Sequence, residues 1–321
     1  MAHNLYRNEM AFTGEIPWHG LGTKFEEEFT IERAIEAAKL DYLVTKEPIY
    51  RQFGDENIEI PDKFVTVNNW NNEILGMVGS RYEVLQNKEA FSPFQILADE
   101  SGAKITTAGA LGNGERVWVL AKLPQVLEPL RGDHVELFML LSNSHDGSQA
   151  VSIRFTPIRV VCQNTLTAAM NGTVETISLK HTQSIKGRLD MSCMILKEMN
   201  QHFAILGEKF EQLASFKIND EWLDLYEKKL FGVQPTQDRT GISQSIWLNK
   251  TEGFATRFSG GMGIEIPGVK GTAWQAYNAA VEWADYQFPM RGKTDRATSV
   301  LFGRANDFKQ TAMDAALALV R

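Results

Sequence analysis

Two changes of hydrophobic period predict an α+β fold. From about Phe64 to Leu179 the apolar residues fall in short extended runs, whereas from Leu189 onward they repeat mainly at helical spacing. The expectation is a mixed or largely antiparallel sheet with packed helices over residues 1–190, headed by an irregular N-terminal segment, and then a mainly helical region over residues 191–321. The sequence leaves open whether that second region is a separate domain or a layer over the same core.

The first 30 residues read as irregular, with Pro17-Trp18-His19-Gly20-Leu21-Gly22 a compact segment suited to clamp across a surface. A helix is predicted from Ile31 to Asp41, because Ile31, Ala34, Ile35 and Ala38 share one face and Thr30 can cap the first turn. Strands are predicted at Phe64–Val67, Ile74–Val78 and Arg81–Leu85, with Gly79-Ser80 as a tight turn between the last two. Lys88–Asp99 reads as a helix, since Pro93 near its start removes a donor that is little missed. Further strands are expected at Lys104–Thr107, Arg116–Leu123, Val135–Leu141, Ala150–Phe155, Arg159–Cys162 and Val174–Leu179.

Val135–Leu141 is largely apolar on both alternating faces, as a central strand covered on two sides would be. Val151-Ser152-Ile153-Arg154-Phe155 alternates instead, which leaves the Ser152 and Arg154 face for chemistry or a ligand. Pro157 should bend the ladder or mark an edge. The clearest helix is Leu189–Leu213, whose apolar seam includes Phe203, Leu206 and Phe210 and suits helix packing or a coiled-coil-like contact in a homo-oligomer. Asn219 or Asp220 should cap a helix that stops at Gly232. Gln234–Gly271 reads as an irregular connection, and helices resume at Thr272–Tyr286 and Asn306–Val320.

Hydrophobic residues make up 43% of the 321, which excludes disorder as the main theme. The 33 basic against 40 acidic residues give a net charge of −7, a balance that opposes indiscriminate wrapping by duplex DNA but leaves room for a local basic site. The two cysteines, Cys162 and Cys193, are expected to be reduced thiols. The opening MAHNLYRNEM has no signal-peptide core, and no run approaches the roughly 20 apolar residues of a membrane span. A cytoplasmic protein without membrane contact is expected.

Several motifs fall short of a site. Gly109-Ala-Leu-Gly112-Asn-Gly114 leads into the extended run Arg116-Val117-Trp118-Val119, where a nucleotide loop would open a helix. Gly292-Lys293-Thr294 lacks the earlier glycine of a phosphate-binding loop, having Gln287 at that place. The histidines form no tight metal-ligand motif. Asn143-Ser144-His145-Asp146-Gly147 offers His145 and Asp146 as candidate catalytic or metal-orienting residues, and it reads equally as a turn built on Asp-Gly.

The most informative tract runs from Arg154 through Pro157 and Arg159 to Cys162-Gln163-Asn164-Thr165. A strand ending where Asn164 or Thr165 caps a helix would set helix amides beside two guanidinium groups, a grip for phosphate. Between positions 154 and 188 the basic residues Arg154, Arg159, Lys180, Lys186 and Arg188 face one acid, Glu175. Trp118 and Tyr82 are candidate stacking surfaces for bases, and ordinary ion pairing of the two arginines is the competing reading.

The run Arg159-Val160-Val161-Cys162-Gln163-Asn164-Thr165-Leu166, with Gly76-Met-Val-Gly79-Ser-Arg81-Tyr82 and Leu141-Ser-Asn143-Ser-His145-Asp146-Gly147, resembles a family of uncharacterised phage- and plasmid-like proteins carried on mobile elements. The resemblance covers roughly residues 15–230. It implies a role in DNA maintenance, recombination or defence and supplies no catalytic residues. Together these features point to a single-stranded DNA-binding accessory protein that anneals or protects strands and requires no cofactor. One competitor is a metal-dependent nuclease or other phosphate-transfer enzyme using Mg²⁺ at His145 and Asp146. Another is a non-enzymatic partner of phage or plasmid maintenance proteins.

Overall fold

The computed structural model describes residues 5–14, 21–159, 164–165, 176–179, 196–235, 244–290, 292, 296, 299–300 and 303–320. Its strands are β1 (Leu5–Thr13), β2 (Thr23–Phe25), β3 (Val44–Phe53), β4 (Glu56–Asn68), β5 (Glu73–Gly79), β6 (Lys104–Leu111), β7 (Arg116–Leu130), β8 (Asp133–Ser144), β9 (Val151–Arg159), β10 (Asn164–Thr165) and β11 (Thr176–Leu179). The helices are α1 (Ile31–Ala37), α2 (Asn87–Ser101), α3 (Leu196–Ser215), α4 (Asp220–Phe231), α5 (Gln244–Gly260), α6 (Ala273–Gln287) and α7 (Arg304–Leu319). The α+β class is as the sequence predicts, with the sheets leading and the longer helices following. None of the described helices is long and apolar enough to cross a membrane.

Eight strands form one sheet in the order β10-β9-β8-β7-β6-β1-β2, with β11 also pairing β9. All its pairs are antiparallel except β1 with β2. A second, antiparallel sheet has the order β3-β4-β5. One continuous apolar core links the inner face of the large sheet to α1, α2 and the C-terminal helices. The expected boundary near residue 190 lies outside the described residues.

Several elements form for the reasons read from sequence. The Thr30 hydroxyl accepts from the Arg33 amide at the start of α1, and Asn219 accepts from the Trp222 amide at the start of α4. At the start of α2 the Glu89 carboxylate accepts from the Gln86 amide, while the Gln86 side chain makes two hydrogen bonds to the backbone of Val44 in β3. β8 is a central strand with Leu137, Phe138, Met139, Leu140 and Leu141 all buried, so both faces are covered as expected.

Other expectations are corrected. The N-terminal segment is not irregular throughout: β1 pairs with β6, and a bulge at Arg7 and Asn8, with φ of 54° and 62°, breaks the alternation that would have revealed it. Arg81–Leu85 is not a strand. The Gly79 carbonyl accepts from the Tyr82 amide in a turn, and the Tyr82 hydroxyl donates to the Ser144 carbonyl, drawing the chain inward before α2. Gln234–Gly271 is not an irregular connection, because it contains α5. That helix buries only Thr251 and Phe254, too few positions for a periodic signal. Pro157 does not bend the ladder with β8, where it lies opposite Leu137. On the other side of β9, β11 pairs with residues 151–154 and β10 with residues 158–159, so Pro157 falls at a local edge between these two strands, the other position expected for it.

Candidate nucleic-acid interface

Along β7 the side chains separate by parity. Val117, Val119, Ala121 and Leu123 are buried in the core, while Arg116, Trp118, Leu120 and Lys122 form a half-buried row on the outer face. Trp118 lies opposite Gly109 of β6 and Ser142 of β8, and Ser142 lies opposite Ser152 of β9. Leu120 lies opposite Leu140, which in turn faces Arg154. The sheet therefore brings Trp118 and Arg154 to one face, about 10 Å apart across the strands and about 7 Å along them.

Gly109 makes the seat for the indole. A Cβ there would stand 2.9 Å from Trp118 Cζ2 and 3.4 Å from Met10 Cβ, so the ring packs on bare backbone. The predicted openness of the Ser152 face is corrected in part. Ser152 is buried and its hydroxyl is 2.9 Å from that of Ser142, with Phe138 and Leu140 buried beside them. The half-exposed ground on this face is the β7 row together with Arg154 and Thr156.

The row carries positive charge under partial restraint. Lys122 Nζ is 2.6 Å from Glu136 Oε1, and Arg116 Nη2 donates to Ser148 Oγ at 3.1 Å. Burial pulls the Arg154 guanidinium below its ordinary value, and the Asp307 carboxylate acts in the opposite sense. Such a guanidinium stays charged at neutral pH. Arg116 and Lys122 are residues that the motif reading missed, although the two-residue alternation through Trp118 carried the signal.

The remaining sequence candidates are distributed differently. Arg159 ends β9, where its backbone lies opposite Val135 of β8. Asn164 and Thr165 were expected to open a helix. They form β10 instead, paired with Arg159 and Ile158. Lys180, Lys186 and Arg188 lie outside the described residues. Tyr82 is a brace at the end of β8, its phenol pushed well up by burial and by the Asp146 carboxylate.

His145 and Asp146 sit where the two sheets meet. His145 is fully buried, its Nε2 2.8 Å from Asn87 Oδ1, its amide donating to the Glu115 carbonyl and its carbonyl accepting from Thr66 Oγ1. Asn87 Nδ2 donates to the Leu40 carbonyl, and the Tyr42 hydroxyl donates to the Gly114 carbonyl. Asp146 Oδ1 accepts from the Ser148 amide in the turn that the Asp-Gly pair predicted. These contacts hold the β3-β4-β5 sheet, α2 and the β8–β9 turn together. Among the described residues no three His, Cys, Asp or Glu side chains gather as a metal ion would require.

No curated protein and no solved structure matches the chain. A family model described as "Domain of unknown function (DUF932)" matches residues 74–301, well over half the sequence, and takes in β6 to β9, Trp118 and Arg154: the protein belongs to that family.

Proposed function

We propose that the protein is a cytoplasmic single-stranded DNA-binding accessory factor of phage or plasmid DNA metabolism, promoting annealing or protecting a replication intermediate. The observation that carries this reading is the β7 row: a cation, an indole, an aliphatic side chain and a second cation on the outer face of a rigid sheet, with Arg154 on the same face. The row spans about 20 Å. Its cations would meet backbone phosphates, and Trp118 would stack a base, which is worth about 1–3 kcal/mol. Resemblance to phage and plasmid proteins supports the same setting. Capture and annealing by this route need neither nucleotide hydrolysis nor a metal. The burial of His145 gives the metal-dependent alternative no comparable footing.

The net charge of −7 works against long-range attraction, so binding should rest on few phosphates. With two or three neutralised, log K should fall with log salt at a slope of about −1.4 to −2.1. Anisotropy of a labelled oligothymidylate and of a matched duplex, read over a salt series with and without Mg²⁺, tests this. Trp118→Ala should weaken single-strand binding about 5- to 150-fold. Gly109→Ala should weaken it as well, by unseating the indole without touching DNA. Absence of binding to either form overturns the reading; Mg²⁺-dependent cleavage lost in Asp146→Asn would replace it with the phosphate-transfer enzyme.

A further inference from the structure

Beyond Pro48 the β3–β4 hairpin leaves the body of the protein. Its pairs there are Tyr50 with Glu59, Arg51 with Ile58, Gln52 with Asn57 and Phe53 with Glu56, and residues 50–57 are all exposed. The third strand, β5, reaches β4 only from Lys63 to Asn68, so it does not cover this outer half. The pairing puts Arg51, Phe53, Glu56 and Ile58 on one face of the arm, beyond a register shift between Pro48 and Tyr50. Phe53 is 67% exposed and Tyr50, on the other face, 53%. A two-stranded ribbon of this kind is marginal in water by itself, and an apolar face on it calls for a cover.

The α3 seam is not the self-association surface that its spacing allowed. Phe203, Leu206, Phe210 and Leu213 are buried in the protein's own core, Phe203 against Phe155 and Phe210 against Trp274. The arm offers a different one. Along β4 the order Glu56, Ile58, Ile60, Asp62 places an acid, two isoleucines and an acid at two-residue steps. Along β7 the order Arg116, Trp118, Leu120, Lys122 places a cation, two apolar side chains and a cation at the same steps. Asp62 lies at a bend, where φ is 58°, so the regular alternation of the arm ends before it.

We infer that the arm is a self-association element: in a symmetric pair, each copy lays its residue 49–60 arm across the outer β7 row of the other. Glu56 beside the apolar Phe53 and Ile58 on the arm, set against Arg116 and Lys122 flanking Trp118 and Leu120 on the row, selects a second copy as the occupant. A single arm on a single row is small beside the roughly 1,200 Å² of a stable interface, and reciprocal exchange doubles it within closed symmetry. The inference does not depend on DNA binding. If both hold, a DNA strand and the partner's arm compete for one row.

Sedimentation velocity of the full chain over a concentration series at low and high salt provides the test. The expected result is a monomer–dimer equilibrium weakened by salt. Ile58→Lys combined with Phe53→Ser should shift it at least about tenfold toward monomer, with the same melting temperature as the parent at a concentration where both are monomeric. Glu56→Lys should weaken the dimer, and adding Arg116→Glu or Lys122→Glu to the same chain should restore it. A monomer at every concentration overturns the inference. So does a dimer that the arm variants leave intact, or a Glu56→Lys loss that neither reversal rescues. A dimer sensitive to the arm in a protein that ignores DNA would leave this inference standing while the DNA reading fails.

Discussion

Gly76 is the position where the seating of the smaller sheet is most exposed to a single methyl group. It lies in β5 opposite Thr66, and a Cβ there would stand 2.4 Å from Asp146 Cα, 2.6 Å from Asp146 Cβ and 2.9 Å from the Asp146 carbonyl oxygen. Two of those atoms are backbone, so no side-chain tip can swing aside. In Gly76→Ala the strand must separate from the 145–147 turn by about 1 Å to reach ordinary contact, an overpacking cost of about 1–3 kcal/mol. The same separation pulls Thr66 Oγ1 from the His145 carbonyl, now 2.7 Å away between two fully buried residues. Losing that bond adds about 1–2 kcal/mol. The total, about 2–5 kcal/mol, is a large part of a typical domain's stability. Gly79, three residues along the same strand, has nothing within 4 Å of its virtual Cβ, and Gly79→Ala should change stability by less than about 0.5 kcal/mol. Denaturant unfolding of both variants at constant m decides the matter. Equal midpoints would refute the claim that β5 is seated directly on the turn.

Two further substitutions probe buried charge. Lys309 is fully buried with Nζ 3.0 Å from Asp285 Oδ1, so Lys309→Met should cost about 3–5 kcal/mol by taking the buried ammonium from beside the carboxylate, and Lys309→Met with Asp285→Leu should recover part of it in denaturant titrations. Burial and the Asp146 carboxylate raise the Glu115 carboxyl above its ordinary 4.5. Its folded form therefore keeps the proton to higher pH than its unfolded form, and the stability this gives is present below the unfolded value and lost as pH rises through the raised one. Glu115→Gln should accordingly melt higher than the parent protein at neutral pH, with the gap closing in acid. A variant that melts lower at neutral pH would count against the assignment.

What the sequence revealed depended on whether one face of an element met the core. α1 and β8 were legible because their buried positions follow helix or strand periods, with Thr30 capping α1, and α4 because Asn219 caps it and Gly232 stops it. β3 was missed because only Val44 in it is buried, which leaves no core face to show in the pattern. α5 was hidden for the same reason, and β1 because Arg7 and Asn8 interrupt its period. At the candidate site, Trp118 and Arg154 were named from residue type, but their common face depends on register across β7, β8 and β9, which linear spacing does not encode. His145 reads in sequence as a possible ligand and in three dimensions as a strut, since burial is decided by the β3-β4-β5 sheet lying over it.

The folded unit is larger than the segment matched by the family model, and this bears on how the two surfaces relate. Residues 74–301 contain β6 to β9 and hence the whole β7 row with Arg154. They omit β1 and β2, which extend the large sheet beyond β6, and β4, whose Thr66 and Asn68 enter the buried polar junction. They also omit α7, which supplies Lys309 to Asp285 and accepts the Tyr226 hydroxyl at the Ala312 carbonyl. Those omitted elements are structural necessities for the row. The residue 49–60 arm is different in kind: its residues 50–57 are all exposed and none of residues 49–60 belongs to the apolar core. An arm outside the core and a row within the sheet mean that arm substitutions can abolish the inferred pairing of two copies while the row keeps its geometry, which makes the two surfaces separable by experiment.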